Sequence, residues 1–254
     1  MDAMKSEVRI VADAAALARA GAAEVLDGLA AADREGGLFR IALSGGHTPR
    51  GVYDALAAAG PGGAGAIPWP RAEIFWGDER HVPPDHPDSN YRMAREALLS
   101  RVPVPESQVH RVPAELPDAE EAAAEYERTI RAAFGLGADA LPRFDLVLLG
   151  LGADGHTASL FPGSPALEER RRLVAAPWVE SMRARRITLT LPVLNAAARV
   201  LFLVSGTDKA EMLRAVLEAR ERTPRLPAQL VRPADGSRLW LVDREAAALL
   251  DPGD

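Results

Sequence analysis

The sequence predicts an α/β fold: a mostly parallel, twisted sheet with helices on both faces, forming one domain. Three observations predict it. Short apolar or β-branched runs alternate with alanine-rich helical segments along most of the 254 residues, the pattern of strand–helix–strand units. Several runs are apolar at consecutive positions, as strands covered on both faces must be. Composition is globular, 48% hydrophobic and 26% charged, which sets aside the disordered and fibrous classes.

Taken in order, a strand over 8–11 precedes an alanine-rich helix over 14–32, and a second strand spans Phe39–Leu43. In open parallel sheets ligands bind beyond the carboxyl ends of strands, so the residues that follow each strand matter most. Here they are Ser44, Gly45, Gly46, His47 and Thr48, with Thr48 read as the N-cap and Pro49 as the first helical residue before a helix over 50–59. Paired glycines let the backbone approach a ligand, and free N–H groups at a helix start favour an anion such as phosphate. A plain tight turn is the other reading. G-x-x-x-x-G-K-[ST] is absent, so ATP is not predicted.

The run GPGGAGAIP over 60–68 is a connector. A strand over 73–76 then delivers Asp78, Glu79 and Arg80, and prolines at 83, 84 and 87 hold off any helix until Ser89, which can cap a helix over 91–101. Those three charges form either a surface ion-pair cluster or a carboxylate and guanidinium facing a polar ligand. His81 and His86 lack a helix to put them on one face, so a metal site there is weakly supported. In the helix Ala119–Phe134, the acidic residues of 118–127 are interleaved with alanines, as on a solvated face.

A strand over 144–149 leads into Gly150, Gly152 and Gly155, a literal G-x-G-x-x-G. A dinucleotide fingerprint needs a helix directly after the glycines and an acid about 20 residues on. Pro162 and Pro165 interrupt any helix, and Glu168 and Glu169 fall in the polar run EERRR. The glycines are better read as shaping a loop that presents Asp154 and His156. Neutral imidazole accepts a proton near neutral pH, and a carboxylate two residues away can orient it. Strands over 187–191, 200–204 and 239–242 and helices over 209–220 and 244–250 complete the pattern.

Net charge is −6 and aromatic residues are 5% of the chain, so neither an electrostatic footprint nor a stacking surface points to nucleic acid. Cysteine is absent, which excludes disulfides and thiolate chemistry and fits a reducing compartment. No run approaches the roughly 18 apolar residues of a membrane span, and the N-terminus lacks the pattern of a secretory signal. A cytoplasmic protein with no membrane partner is expected.

The stretches ALSGGHTP, WGDERHVPPDHPDSNY, DLVLLGLGADGHTASLFPGS, RITLTLPVLN, VSGTDKAEML and LPAQLV, from about Leu43 to Val231, together resemble the 6-phosphogluconolactonase family. The resemblance implies a single Rossmann-like domain over 1–254 that hydrolyses 6-phospho-D-glucono-1,5-lactone to 6-phospho-D-gluconate in the oxidative pentose phosphate pathway. It implies no metal or organic cofactor and a small-molecule sugar-phosphate partner, and it leaves open whether the chain is a monomer or a dimer. His156 matches the family's catalytic histidine, Asp154 its partner and Arg80 the active-site arginine. Ser44, Gly45, Gly46, Thr48, Asp78, Asn90, Gly152, Gly155, Arg186 and Lys209 match substrate- or phosphate-binding positions. For the developing oxyanion, backbone N–H groups of the loop from Gly150 to Gly155 and Arg80 stand as alternatives. In SMRARR the chain departs from relatives with prolines before a single arginine, so Arg183, Arg185 and Arg186 compete for the phosphate.

Two rivals share the fold. Glucosamine-6-phosphate deaminase/isomerase typically reads DGHIAFNEP where this chain has DGHTASLFP, and has a DEY-type segment in place of Asp78, Glu79 and Arg80. A sugar-phosphate sensor would need a DNA-binding unit, for which the segment before the first strand is too short.

Overall fold

The computed structural model describes residues 5–59, 67–218 and 225–251. In chain order these form β1 (Lys5–Val11), α1 (Ala14–Glu35), β2 (Phe39–Leu43), α2 (His47–Ala58), β3 (Ala72–Trp76), β4 (Asp78–Arg80) and α3 (Asn90–Ala94). There follow α4 (Ala119–Phe134), β5 (Leu146–Leu149), β6 (Val174–Ala175), β7 (Trp178–Val179), β8 (Ala184–Leu189) and α5 (Leu191–Ala196). The last elements are β9 (Arg199–Val204), α6 (Ala210–Leu217), α7 (Pro227–Leu230) and β10 (Ser237–Asp243).

Six strands form one sheet in the order β1-β10-β9-β5-β2-β3, every pair parallel. From β2 the chain moves outward to β3, then returns to β5 on the other side of β2. The connection therefore reverses between β2 and β5, which opens a crevice at their carboxyl ends. Side chains alternate across the edge strand β3. Phe75 packs with Phe134 of α4 and Phe144, while Trp76 meets Tyr91 of α3, so helices cover both faces. Its outer edge is occupied too: Tyr126 Oη accepts from Trp76 N–H (2.7 Å) and donates to Trp76 O (3.0 Å), and His110 N–H donates to Ile74 O (2.8 Å). An edge so paired cannot template another strand. One apolar cluster joins the strands to α1, α2, α4 and α6.

Several expectations change. The run expected as a strand over 187–191 is β8, which lies outside the parallel sheet. It is the middle of a second, antiparallel sheet ordered β4-β8-β6, with β7 paired to β8 as well. Leu191 starts α5, with Pro192 in its first turn. Residues 78–80, read as three charges at the end of the strand over 73–76, are β4 of that same small sheet. The C-terminal helix expected over 244–250 is a series of turns, because its backbone bonds switch between four- and three-residue spacing and do not propagate: Ala247 N–H reaches Asp243 O, but Ala248 N–H reaches Glu245 O. The helix over 91–101 is α3 continued by a π-helical turn, Arg95–Leu99, opened as expected by Ser89, whose Oγ accepts from Arg92 N–H (3.1 Å).

Thr48 is not an N-cap. α2 begins at His47, two residues before the expected Pro49, after Gly46 at φ 99°, and no side chain caps it. β1 starts at Lys5 and α1 runs on to Glu35, where Gly36 in the left-handed region ends it. The strand over 144–149 is in ladder register with β2 only from Leu146; at Asp145 the backbone N–H donates to Arg40 O (3.0 Å) and the carboxylate accepts from Arg40 N–H (2.7 Å). The acidic face of α4 is only partly solvated: Glu127 accepts from Leu173 N–H (2.8 Å) and pairs with Arg131 (2.8 Å). Residues 60–66 of the connector and 219–220 of the helix expected to reach 220 lie outside the described residues. Among the described residues, no helix is long and apolar enough to cross a membrane.

Candidate active site

Four adjacent strands, β9, β5, β2 and β3, end on the same side of the sheet, and the loops that leave them enclose a cleft of about 620 Å³. Of the sequence-derived candidates, Ser44, Gly45, Gly46, Thr48, Asp78, Arg80, Asn90, Gly152, His156, Arg186 and Lys209 line it. Asp154 and Gly155 do not.

The loop after β5 is a tight knot. Gly155 N–H donates to Gly152 O (3.0 Å), Gly152 N–H to His156 O (2.9 Å), and Thr157 Oγ1 to Gly150 O (2.9 Å). Its glycines have separate physical reasons. A side chain at Gly152 would place Cβ 2.0 Å from His156 Nδ1. Gly155 adopts φ 83°, and a Cβ there would press into Leu226 at 2.9 Å. Gly155 is thus a folding position, and its carbonyl receives Ala228 N–H (3.1 Å). No helix follows these glycines, so the dinucleotide reading falls.

The knot aims His156. Asp154 Oδ1 receives both His156 N–H (3.1 Å) and Nδ1 (2.5 Å), and the ring stacks on Phe161 at 4.2 Å between centroids. With a carboxylate at Nδ1, that nitrogen carries the proton, and Nε2 is left as the acceptor on a ring that lines the cleft. Burial raises the Asp154 carboxyl, but the His156 backbone N–H and imidazole outweigh it and hold the group below the ordinary aspartate range.

The loop after β2 forms the opposing wall. Tyr53 Oη donates to Ser44 O (2.8 Å) and accepts from Ser44 N–H (3.0 Å), which pins the loop to α2 from below. Burial raises the Tyr53 phenol far above its ordinary range, so it acts as a fixed neutral brace. Gly45 is required by its neighbour: a Cβ would lie 1.9 Å from Asn90 Oδ1. The uncapped start of α2 presents free N–H groups and the positive end of the helix to the cleft, an arrangement suited to an anion. His47 also lines this wall.

The charges after β3 have divided roles. Glu79 is 2% exposed and, among the described residues, faces no cation in hydrogen-bonding range. It accepts instead from the N–H groups of Arg80 (2.8 Å), Asn90 (2.7 Å) and Tyr91 (2.8 Å) and from Ser89 Oγ (3.2 Å). Burial raises its carboxyl in spite of those donors. It therefore belongs to neither the surface cluster nor the ligand site; it anchors α3. Asp78 faces the cleft, with Oδ2 accepting from Ser159 Oγ (2.7 Å).

Arg80 and Arg186 are direct cross-strand partners on β4 and β8. Like charges in that position repel, and among the described residues neither guanidinium has an acidic partner: Arg80 donates to Asp88 O (2.7 Å) and Arg186 contacts Met182 Sδ (2.8 Å). Burial, then Arg80, lowers Arg186 from the ordinary guanidinium value. Two such cations side by side suit a bound anion. Arg185 turns away to Ala176 O (2.9 Å), and Arg183 sits at φ 48° in the hairpin turn; neither lines the cleft. The last wall carries Lys209, paired with Asp208 (3.2 Å), in a loop held by Asp243, whose carboxylate receives Ser205 Oγ and Gly206 N–H.

His81 and His86 serve the proline loop, at Leu116 O (2.7 Å) and Asp88 N–H (3.1 Å). No group of three or more potential metal-ligating side chains gathers among the described residues. Sequence reasoning missed Tyr53, Ser159, Phe161, Met182 and Asp243. Ser159 and Phe161 stood in the quoted DGHTASLF, but nothing in the order of residues shows that one reaches Asp78 and the other stacks on the imidazole.

Residues 12–240 match the family described as glucosamine-6-phosphate isomerases/6-phosphogluconolactonase. The chain is 47% identical over 218 residues to a 6-phosphogluconolactonase of Homo sapiens, covering 84% of this chain and 81% of that protein. It is 43% identical over 218 residues to one from Synechocystis sp., covering 86% and 87%. The solved 6-phosphogluconolactonase from Trypanosoma brucei superposes with a TM-score of 0.85 at 30% identity, over 98% of this chain and all of that one (100%).

Proposed function

Because this chain belongs to the glucosamine-6-phosphate isomerase/6-phosphogluconolactonase family and is a lactone hydrolase of the pentose phosphate pathway, we propose how its residues divide the reaction. The substrate is 6-phospho-D-glucono-1,5-lactone and the product 6-phospho-D-gluconate. The Asp154–His156 pair carries the proposal, since it leaves Nε2 as an acceptor on the cleft wall.

His156 Nε2 takes a proton from water as the water oxygen attacks C1. The imidazolium then returns that proton to the ring oxygen as the C1–O bond breaks. Asp154 is a positioning residue: it fixes the tautomer and stabilises the imidazolium without touching substrate. The phosphate sits against the start of α2, with Arg186 and Lys209 as cationic contacts. Arg80, beside Arg186, and the N–H groups of the loop after β5 are the donors available to the oxyanion. A cytoplasmic location without nucleic-acid or membrane partners belongs to the same reading, supported by the acidic, cysteine-free composition.

The test is lactone hydrolysis above the spontaneous rate, with chelator present, for wild type and His156→Ala. A positioned general base contributes about 10² to 10⁴ in rate, so turnover falls by that order while KM holds. Near-wild-type turnover in the variant would remove His156 from the chemistry. Arg186→Ala raises KM if Arg186 anchors the phosphate, and an unchanged KM rejects that anchor.

A further inference from the structure

The β7–β8 hairpin brings a methionine against the phosphate-side arginine. Met182 stands in the turn between the two strands, lines the cleft and is 46% exposed. Its sulfur rests on the Arg186 guanidinium (2.8 Å). A thioether is a weak acceptor, so it holds the guanidinium loosely and yields it to a phosphate. The other methionines among the described residues, Met93 and Met212, are packed against the core. The chain has no cysteine, so a peroxide meets no thiol and its accessible soft sulfur at the cleft is Met182.

We propose that Met182 is an oxidation site that tunes substrate affinity through Arg186. A sulfur lone pair of Met182 attacks one oxygen of hydrogen peroxide, the O–O bond breaks, and the departing hydroxide takes the proton from the oxygen now bound to sulfur and leaves as water. Sulfur is oxidised to the sulfoxide and the peroxide is reduced. The new S–O group is a strong acceptor placed beside a guanidinium without a carboxylate partner, and it competes with the substrate phosphate for the same donors. Affinity falls while the His156 chemistry is untouched. The change is reversible, because sulfoxides return to thioethers under methionine sulfoxide reductases. This inference rests on Arg186 as a phosphate contact.

The experiment treats the full chain with hydrogen peroxide, locates the added oxygen by peptide mass spectrometry, and measures KM and kcat before and after. One added strong hydrogen bond predicts a rise in KM of about threefold to tenfold with kcat little changed, reversed by the reductases. In Met182→Leu, the treated-to-untreated KM ratio stays near one. Met182→Gln, which carries an amide oxygen at the same reach, shows the raised KM without peroxide. Oxidation of Met182 with no rise in KM, resistance of Met182 to oxidation, or equal sensitivity in Met182→Leu overturns the proposal. Arg186→Ala run in parallel separates the two readings: if it raises KM and oxidation does not, only the Met182 inference falls, whereas an unchanged KM removes the Arg186 anchor beneath it.

Discussion

The imidazole of His156 is held from three sides: by the Asp154 carboxylate at Nδ1, by the Phe161 ring at 4.2 Å, and by Gly152, where any Cβ would lie 2.0 Å from Nδ1. The third restraint is the easiest to break without touching a chemical group. Gly152→Ala must push the ring out of place, and a misplacement of about 1 Å can cost on the order of 10² in rate. We expect kcat to fall by at least tenfold with the thermal midpoint nearly kept, read by steady-state kinetics alongside a melt; unchanged kcat would show that the ring position is not critical. His156 and Asp154 drew notice in the sequence because a histidine in a glycine-rich loop after a buried strand is a poor core filler and an acid two residues away can orient it; their catalytic match came from the family resemblance. Phe161 did not, since a phenylalanine near a strand end reads as core.

At the scale of elements, carboxylates that pin backbone turns decide local stability. Glu79 receives four donors at the start of α3. Its raised pKa means that the native state binds its proton more tightly than the unfolded chain does. Its contribution is therefore full below the ordinary glutamate value and declines as pH rises through the raised one. In Glu79→Gln the amide oxygen can accept from only part of the set, and its NH₂ faces donors. Leaving buried donors unsatisfied costs about 1 to 3 kcal/mol, and a drop in midpoint on thermal denaturation is expected; an unaltered midpoint would mean the donors find water instead. Glu169 has the opposite sign. The backbone N–H groups of Arg171 and Arg172 push it down to about 2 from the ordinary 4.5, so its contribution is present above 4.5 and lost as pH falls from there toward 2. The midpoint deficit of Glu169→Gln at neutral pH should shrink across that window, and a deficit independent of pH would assign it to packing.

For the whole molecule, the four loops of the cleft belong to strands of one sheet, with the small antiparallel sheet laid across them through β4 and β8. A ligand that bridges those loops ties both sheets together. The product 6-phospho-D-gluconate at 100 times its Kd should add about 2.7 kcal/mol to stability, raising the midpoint of a single cooperative transition. The reading of residues 1–254 as one domain is tested by the same melt: separate loss of the small sheet before the large one would contradict it.

Periodicity, composition and turn chemistry by themselves determined most strands of the parallel sheet, the α1 and α4 helices, the cap at Ser89 and the three strand-end segments that reach the cleft. These are local matters, set by neighbours within a few positions along the chain. The individual binding residues, Arg186 and Lys209 among them, came from the resemblance to a known family. What only the tertiary structure decided depends on partners far apart. An apolar run cannot state which sheet it joins, so 184–189 became the centre of the antiparallel sheet. Three consecutive charges cannot state where each points, so Asp78 faces the cleft, Glu79 is buried under α3 and Arg80 lies beside Arg186. Which of Arg183, Arg185 and Arg186 lines the cleft needed the twist and turn of one hairpin, because side chains two positions apart share a face of a strand and a left-handed residue redirects the next.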